Sequence, residues 1–378
     1  MWFTNALGNS IGRITTSGVL SSYSDSSIDD PVSIAVGSDG ALWFTNVGNN
    51  SIGSITTTGV VSNYTDPSID NPTSIVAGPD GALWFINLGN TIGRITTAGV
   101  VSNFTDPSID NPESITAGPD GALWFTNSGT YNPHTGVWQG ESISRITTAG
   151  AVTSYTSSTI DHPDGITAGP DGALWFTNES TGNTSLTGSI GRITTSGSIS
   201  AYTNSSIGQP QAITVGPDGA LWYFNGGTRA TLTATLGRIT TAGAVSNYSY
   251  LTSCNCGLQG LVSGPDGQLW FTTTFNTIGE ITTPPYATVN PASGPPGTQV
   301  AVAGAGFTPG ETVTATYKTG LTEPKDVTVC TAVATSSGSY SCTGDIPAAS
   351  TAGSTGLHKI KAKGGTSASV AKAGYSLT

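Results

Sequence analysis

The sequence contains little charge and few basic residues. Of its 378 residues, 9% are Asp, Glu, Lys or Arg, and the formal net charge is −11. This acidic balance argues against a nucleic acid partner, because phosphate binding requires a positive patch. It also argues against binding to anionic membrane surfaces. Long apolar runs are absent as well, so the sequence predicts no membrane span.

The basic residues are divided between two parts of the chain. All six arginines precede residue 284, and all six lysines follow it. With 19 acidic residues before this point and four after it, the two parts carry formal charges of −13 and +2. The shift in composition predicts two domains, residues 1–283 and 298–378, joined by a linker of residues 284–297.

Cysteine is also scarce, and the four cysteines form two close pairs in the sequence. We expect a disulfide between Cys330 and Cys342, and a tight local bridge between Cys254 and Cys256. Because no Cys-x-x-Cys pattern or neighbouring His is present, zinc is disfavoured and no metal site is predicted. Paired cysteines imply an oxidising compartment. We therefore expect an extracellular or cell-surface protein whose export signal is not in this sequence.

The first three quarters of the chain consist of a repeat built around a Trp that is followed by Phe or Tyr. Each copy contains four short apolar runs divided by Gly, Pro and Asp, which is typical of strands. Four strands in a period of about 40 to 50 residues are typical of propeller blades, whose faces are buried against neighbouring blades. The pattern predicts an all-β fold with a seven-bladed β-propeller of four-stranded blades. The repeated tryptophans, expected in the core, are Trp2, Trp43, Trp84, Trp124, Trp175, Trp222 and Trp270.

The first copy begins at its second strand, because Met1 stands directly before Trp2 and Phe3. We expect that the inner strand of the first blade is missing upstream, since a propeller closes its ring by joining its two ends in one blade. The alternative is a real start with an open or differently closed ring.

Two further positions of each copy have predicted structural roles. The Asp of the Gly-Pro-Asp-Gly turn, as at Asp120, is expected to cap its own backbone. The Arg of Ile-Gly-Arg-Ile, as at Arg94, is expected to pair with a carboxylate or carbonyl of a neighbouring blade.

The last quarter of the chain has short alternating runs, for example at residues 312–317 and 358–362, which predict an all-β sandwich. Its phrase Pro-Pro-Gly-Thr-Gln-Val, followed by Gly-Ala-Gly-Phe-Thr-Pro-Gly-Glu, is similar to bacterial immunoglobulin-like repeats of cell-surface proteins. The resemblance implies a C-terminal immunoglobulin-like domain that acts as a spacer or adhesion unit.

Three consecutive copies have a lengthened connection after their second strand, at residues 127–142, 178–189 and 225–235. Variable loops on one side of a rigid scaffold are common binding sites. These loops predict a ligand site on that side. The candidate contact residues in them are Tyr131, His134, Trp138 and Arg229.

The phrases Ile-Gly-Arg-Ile-Thr-Thr and Gly-Pro-Asp-Gly-Ala-Leu-Trp-Phe-Thr resemble the streptogramin lyase (virginiamycin B lyase) family over nearly all of residues 1–283. The resemblance implies an elimination that opens a cyclic depsipeptide antibiotic, with histidines ahead of the first strand, a glutamate after the second strand, and Mg²⁺. The positions that match the critical histidine hold Gln211 and Gln259. A glutamine amide cannot accept a proton near neutral pH, so the family's general base is absent.

Other residues at the same position of the repeat offer a replacement. Glu113 and Asp164 belong to adjacent copies, and His162 lies close to Asp164 in sequence. These groups are candidates for an acid–base pair or a metal site. The alternative is that they are solvated loop residues.

Three functions therefore stay open. The first is a monomeric ligand-binding module for a small molecule, a glycan or a surface protein, with no cofactor. The second is a carbon–oxygen lyase or a hydrolase that uses Glu113 and Asp164, with Mg²⁺ as the implied cofactor of a lyase. The third is a purely structural or adhesive array.

Overall fold

The computed structural model describes residues 1–134, 137–179, 187–226, 235–248, 258–274, 276–283, 285–308, 310–335, 338–367 and 369–378. They form two compact units, residues 1–215 with 221–259, and residues 216–220 with 260–378. Every regular element in these ranges is a β-strand, so the all-β prediction is confirmed. No helix that could span a membrane occurs among them.

The first unit contains six antiparallel sheets in chain order. Sheet 1 has three strands, β1 (Trp2–Asn5), β2 (Ser10–Ile14) and β3 (Leu20–Ser24). Sheets 2 to 6 have the four strands predicted for each copy. Sheet 2 comprises β4 (Pro31–Val36), β5 (Leu42–Asn46), β6 (Ser51–Ile55) and β7 (Val61–Thr65). Sheet 3 comprises β8 (Pro72–Ala77), β9 (Leu83–Asn87), β10 (Thr91–Ile95) and β11 (Val101–Phe104).

Sheet 4 carries an additional hairpin between its second and third strands. Its main strands are β12 (Pro112–Ala117), β13 (Leu123–Asn127), β16 (Ser142–Ile146) and β17 (Val152–Tyr155), and the hairpin is β14 (Thr130–Asn132) and β15 (Val137–Gln139). Sheet 5 comprises β18 (Pro163–Ala168), β19 (Leu174–Asn178), β20 (Ser189–Ile193) and β21 (Ile199–Tyr202). Sheet 6 comprises β22 (Pro210–Val215), β23 (Leu221–Asn225), β24 (Thr235–Ile239) and β25 (Val245–Tyr248).

Consecutive sheets of the first unit pack face to face through the repeated aromatic pair. Trp43 of sheet 2 shares a core cluster with Phe85 of sheet 3, while Phe44 packs against Ile11 of sheet 1. Alternate side chains of a strand point to opposite faces, so adjacent Trp and Phe residues contact different neighbours. The repeated tryptophans of sheets 2 to 6 are fully buried, as predicted.

The Asp of the turn caps its own backbone as predicted, since the N–H of Ala82 donates to Asp80 Oδ1 over 3.4 Å, and it also has side-chain partners. In sheet 3, the indole nitrogen of Trp84 donates to Asp80 Oδ1 over 3.0 Å, and Arg94 Nε lies 2.7 Å from Asp80 Oδ2. Burial alone raises the pKa of Asp80, but the bonds from Arg94 and Trp84 outweigh it and hold that pKa below its ordinary value. The prediction for Arg94 was wrong about the partner, because the pair lies within one sheet. The same pair forms between Arg145 and Asp120 and between Arg192 and Asp171.

A buried Asn ends the second strand of sheets 2 to 6 and holds the loop before the first strand. Asn87 accepts from the backbone nitrogen of Asp70 (3.1 Å) and donates to the carbonyl of Ser68 (3.0 Å). Its side chain is fully buried. This Asn therefore has a structural role. The equivalent residues, all buried, are Asn46, Asn127, Asn178 and Asn225.

The second unit holds most of a three-stranded sheet and two further sheets. Sheet 7 comprises β26 (Leu258–Ser263), β27 (Gln268–Thr273) and β28 (Ile278–Thr282). The next sheet has the order β29 (Tyr286–Asn290), β31 (Gln299–Ala305), β34 (Tyr340–Asp345). The last has the order β30 (Ser293–Gly294), β36 (Val370–Leu377), β35 (Gly356–Gly364), β32 (Thr312–Lys318), β33 (Asp326–Val333).

These last two sheets share one hydrophobic core, in which Val302 packs with Tyr317 and Ile360. Strands β29 and β30 lie in the segment predicted to be a linker, which was wrong, because β29 pairs with β31 along its whole length. The predicted disulfide between Cys330 and Cys342 is present and connects β33 to β34. Cys254 and Cys256 lie outside the described residues.

Candidate functional site

The first strand of sheets 2 to 6 begins with a β-bulge. In sheet 4, Pro112 pairs with Asn127 and Ile115 with Phe125, so two residues oppose Thr126 alone. The Thr126 hydroxyl accepts the backbone N–H of Ser114 over 3.1 Å, which satisfies the bulged backbone. A bulge releases a side chain from the regular ladder and often lies beside an active site. In each of these sheets the residue released in this way directly follows the Pro. From sheet 2 to sheet 6, these residues are Val32, Thr73, Glu113, Asp164 and Gln211.

Three of these residues, those of sheets 4 to 6, carry a carboxyl or amide group and belong to consecutive sheets. Strand β12 lies beside β18, and β18 beside β22. The Thr126 hydroxyl also donates to the backbone carbonyl of Asp164 over 2.7 Å, which connects sheet 4 to sheet 5. Glu113, Asp164 and Gln211 are therefore neighbours, as the sequence predicted for the first two.

His162 and Glu179 form an ion pair at this place. His162 Nδ1 lies 3.6 Å from Glu179 Oε2, and Gln211 Nε2 donates to Glu179 Oε1 over 3.0 Å. Glu179 is the main cause of a raised pKa of His162, and His162 is the main cause of a lowered pKa of Glu179. Both shifts favour an imidazolium paired with a carboxylate.

Asp164 has the most strongly shifted carboxyl group of the site. Burial, with the nearby charges of Glu179 and Glu113, raises the pKa of Asp164 to about 7. Its backbone carbonyl is bonded, whereas its carboxylate has no hydrogen-bond partner among the described residues. A carboxyl group with a pKa near 7 and a free oxygen can exchange a proton with a ligand at neutral pH.

Glu113 completes the polar set on the side of sheet 4. Burial raises the pKa of Glu113, although the buried hydroxyl of Ser128 donates to its Oε1 over 3.0 Å. We call Glu113, His162, Asp164, Glu179 and Gln211 the acid–base cluster.

The hairpin β14–β15 borders this cluster. The ring of Trp138 meets that of His162 edge-on, with centroids 4.6 Å apart and planes at 73°. Tyr131 stands opposite Trp138 in the hairpin, with ring centroids 5.5 Å apart. Glu141, which follows the hairpin, accepts the backbone N–H of His162 over 2.6 Å.

Not every predicted site residue joins the cluster. His134 lies exposed in the turn of the hairpin, where its backbone N–H is bonded to Asn132. Gln259 is exposed on β26, and no hydrogen bond connects its side chain to the cluster within the described part of the chain. Arg229 lies outside the described residues.

Sequence reasoning missed Glu179 and Glu141. The family resemblance implied a glutamate after the second strand, and Glu179 is the first residue after β19, directly behind the buried Asn178. Glu141 had no such signal, because its contact with His162 depends on the hairpin.

The described ranges contain no group of three or more His, Cys, Asp or Glu side chains that could hold a metal ion. The described residues therefore provide no set of ligands for the Mg²⁺ that the resemblance implies.

Comparison with known proteins shows the family to which the chain belongs. The profile of the virginiamycin B lyase family matches residues 1–132 and 132–288. A crystal structure of virginiamycin B lyase from Staphylococcus aureus is 33% identical, with a TM-score of 0.63 over 74% of this chain and 89% of that one. A streptogramin B lyase structure is 34% identical, with a TM-score of 0.62 over 74% and 88% of the two chains.

More distant structures share the fold alone. The WD40 β-propeller domain of Doa1 is 10% identical, with a TM-score of 0.52 over 71% of this chain and 88% of that one. Among curated proteins no match is found. The chain is a β-propeller protein, and it belongs to the virginiamycin B lyase family.

Proposed function

We propose that the protein is a carbon–oxygen lyase in which Asp164 takes the place of the family's catalytic histidine as the proton acceptor. One observation carries this proposal: the Asp164 carboxylate has no hydrogen-bond partner among the described residues, and its pKa is raised to about 7. Strongly perturbed groups in a cluster of titratable residues are typical of active sites.

The other members of the cluster have distinct roles in this proposal. In an ester elimination, Asp164 takes the proton from the carbon next to a carbonyl, a carbon–carbon double bond forms, and the β carbon–oxygen bond breaks to release a carboxylate. The His162 imidazolium stabilises the negative charge that develops on the carbonyl oxygen. Glu179 keeps His162 protonated, and Gln211 orients Glu179.

A second candidate is a binding module without catalysis. Gln211 stands where the family resemblance places a histidine, and its amide cannot accept a proton but donates a hydrogen bond to Glu179. This favours recognition of a small molecule, a glycan or a surface protein by the same cluster.

The domain architecture that we propose is the one predicted from the sequence. We infer a seven-bladed propeller, supported by seven sheets at the period of the repeated Trp, followed by an immunoglobulin-like spacer. The disulfide between Cys330 and Cys342 is compatible with an extracellular or cell-surface location.

The test uses linear peptides in which a threonine hydroxyl carries an acyl ester. Elimination releases the acid and leaves dehydrobutyrine, whereas hydrolysis leaves threonine, and mass spectrometry separates the two peptides by one water molecule. We expect the dehydro product with the wild type and a rate lower by about a hundredfold or more with Asp164→Asn. Equal rates for the two proteins would contradict the role of Asp164. Binding of these esters without turnover would favour the second candidate.

A further inference from the structure

We propose that the hairpin β14–β15 is a positioning device for the site, in which Trp138 and Glu141 hold His162 against Glu179. The inference rests on the proposed function, because it concerns the group assigned to stabilise negative charge. Both positioning residues belong to the connection between the second and third strands of sheet 4. Among the described parts of the chain, only in sheet 4 does this connection contain a hairpin.

The hairpin is fixed at its base. The Thr130 hydroxyl donates to Asp110 Oδ1 over 2.9 Å, and the backbone N–H of Gly129 donates to the Asp110 carbonyl over 3.2 Å. Gly129 itself has a φ of 76°, in the left-handed region, and a side chain there would collide with the carbonyl of Gln139. The hairpin therefore leaves sheet 4 in one defined direction.

The hairpin reaches sheet 5 through the backbone of His162. This residue has a φ of 50°, which is uncommon for a residue other than glycine. Its N–H is accepted by Glu141 over 2.6 Å, which ties the backbone to the residue that follows β15.

The corresponding positions of other sheets show how sheet 5 differs. Asn71 and Asn111 also have positive φ angles, of 46° and 53°. Their N–H groups are accepted by the side-chain amides of Asn50 (2.8 Å) and Asn90 (2.9 Å). At His162 the same bond is made by a carboxylate instead of an amide. Glu141 thus accepts the equivalent backbone N–H, as Asn50 and Asn90 do, and it also places a negative charge beside the imidazole.

Trp138 contacts the imidazole ring of His162. Its edge-on contact with His162, at 4.6 Å between centroids, occupies one side of the imidazole and leaves Nδ1 turned toward Glu179. Tyr131 supports Trp138 from the opposite strand. The ring is thus held by an aromatic contact, and the backbone by Glu141.

The charges around His162 favour its protonated form. Glu179 raises the pKa of His162 most, and the charges of Glu113 and Glu141 raise it further. The charge of Asp161 acts on Glu141. The charge of His162 in turn lowers the pKa of Asp164, against the larger effect of burial. If the hairpin no longer held the ring near Glu179, His162 would lose its main source of stabilisation as an imidazolium.

The experiment is a histidine titration by NMR on the full chain without any substrate. The chain has three histidines, so the ring signals of His134 and His358 serve as internal references and His162→Gln assigns the third. We expect the titration midpoint of His162 to lie above the ordinary value in the wild type. Trp138→Ala should lower it, Trp138→Phe should restore it, and Glu179→Gln should lower it most.

Glu141→Gln is the matched variant for the backbone contact, because its amide oxygen still accepts the N–H of His162 while the charge is lost. We expect it to lower the midpoint of His162 without changing the thermal midpoint of the protein. The proposal is overturned if Trp138→Ala and Glu141→Gln both leave the His162 midpoint unchanged. If Trp138→Ala does not fold, the comparison of Glu141→Ala with Glu141→Gln decides the question, because both variants lose the charge and only Glu141→Ala also loses the acceptor of the His162 N–H. Equal midpoints of His162 in these two variants would then overturn the proposal. A failure of Asp164 as the proton acceptor would not affect these titrations, so the two proposals fail separately.

Discussion

At the scale of single residues, the role that we propose for Asp164 comes with a cost in stability. Its pKa is raised from 3.8 to about 7, so the folded protein disfavours the ionised carboxylate. The stability that the protonated group contributes is complete below about pH 3.8 and is lost as pH rises through about 7. Groups that weaken the fold in this way are common at active sites.

This cost predicts the effect of Asp164→Asn, which imitates the protonated form. At pH 8 we expect the variant to be more stable than the wild type by on the order of 1–3 kcal/mol, after allowance for the partial exposure of the group. At pH 3.5 the two proteins should have the same stability. Urea unfolding at both pH values measures this. A variant that is less stable at pH 8 would show that Asp164 is held ionised.

Part of the cluster was predictable from the sequence because it follows the repeat. Glu113 and Asp164 occupy one position of consecutive copies, and the bulge in each first strand brings that position out of the ladder. Glu141 was not predictable, since its contact with His162 spans 21 residues and passes through a hairpin that the repeat does not contain.

At the scale of strands and sheets, the repeat fixes most of the architecture. The four apolar runs of each copy form the four strands of sheets 2 to 6, and the Trp-Phe pair fills the space between neighbouring sheets. The partner of Arg94 was not predictable, because the turn between β8 and β9 of the same sheet places Asp80 beside it, where a neighbouring sheet was expected to supply the partner.

The buried Asn at the end of each second strand yields a prediction at this scale. Asn87→Ala removes the partners of the Asp70 N–H and the Ser68 carbonyl, and an unpaired buried polar group costs about 1–3 kcal/mol. We therefore expect a loss of at least this size in the free energy of unfolding, measured with urea. The control is Asn103→Ala, whose exposed side chain accepts a bond from the same Asn87 (3.2 Å). Equal losses in both variants would contradict the structural role of the buried Asn.

At the scale of the whole molecule, we expect residues 286–378 to fold without the rest of the chain. This range contains both sheets of the shared C-terminal core and the disulfide between Cys330 and Cys342. A fragment of these residues should melt cooperatively, and reduction should destabilise it by about 2–4 kcal/mol, as is usual for one disulfide. Two free thiols in the folded, unreduced fragment would disprove the bridge.

The replacement of the family histidines predicts a narrow or altered substrate range. A catalytically inactive variant of the Staphylococcus aureus enzyme has been crystallised with quinupristin. For the present protein we expect no opening of quinupristin above the buffer rate, because Gln211 and Gln259, at the positions of the family's proton acceptor, cannot accept a proton. Asp164 belongs to a different sheet from both of them, so it would meet a substrate bound as in the family from another side. Incubation followed by mass spectrometry measures this, with a histidine-containing family member as the control. Clear turnover would show that the cluster serves the family's reaction unchanged.

The measurement that tests the acid–base cluster most directly is the titration of Asp164 itself. Carboxyl-carbon NMR of protein labelled at aspartate, with Asp164→Asn to assign the signal, gives its pKa. We predict a value of about 7 in the wild type, and a lower value in Glu113→Gln, because one of the nearby charges that raise this pKa is removed. A wild-type value near the ordinary 3.8 would mean that Asp164 is fully ionised at neutral pH, and it would contradict the assignment of this cluster as an active site.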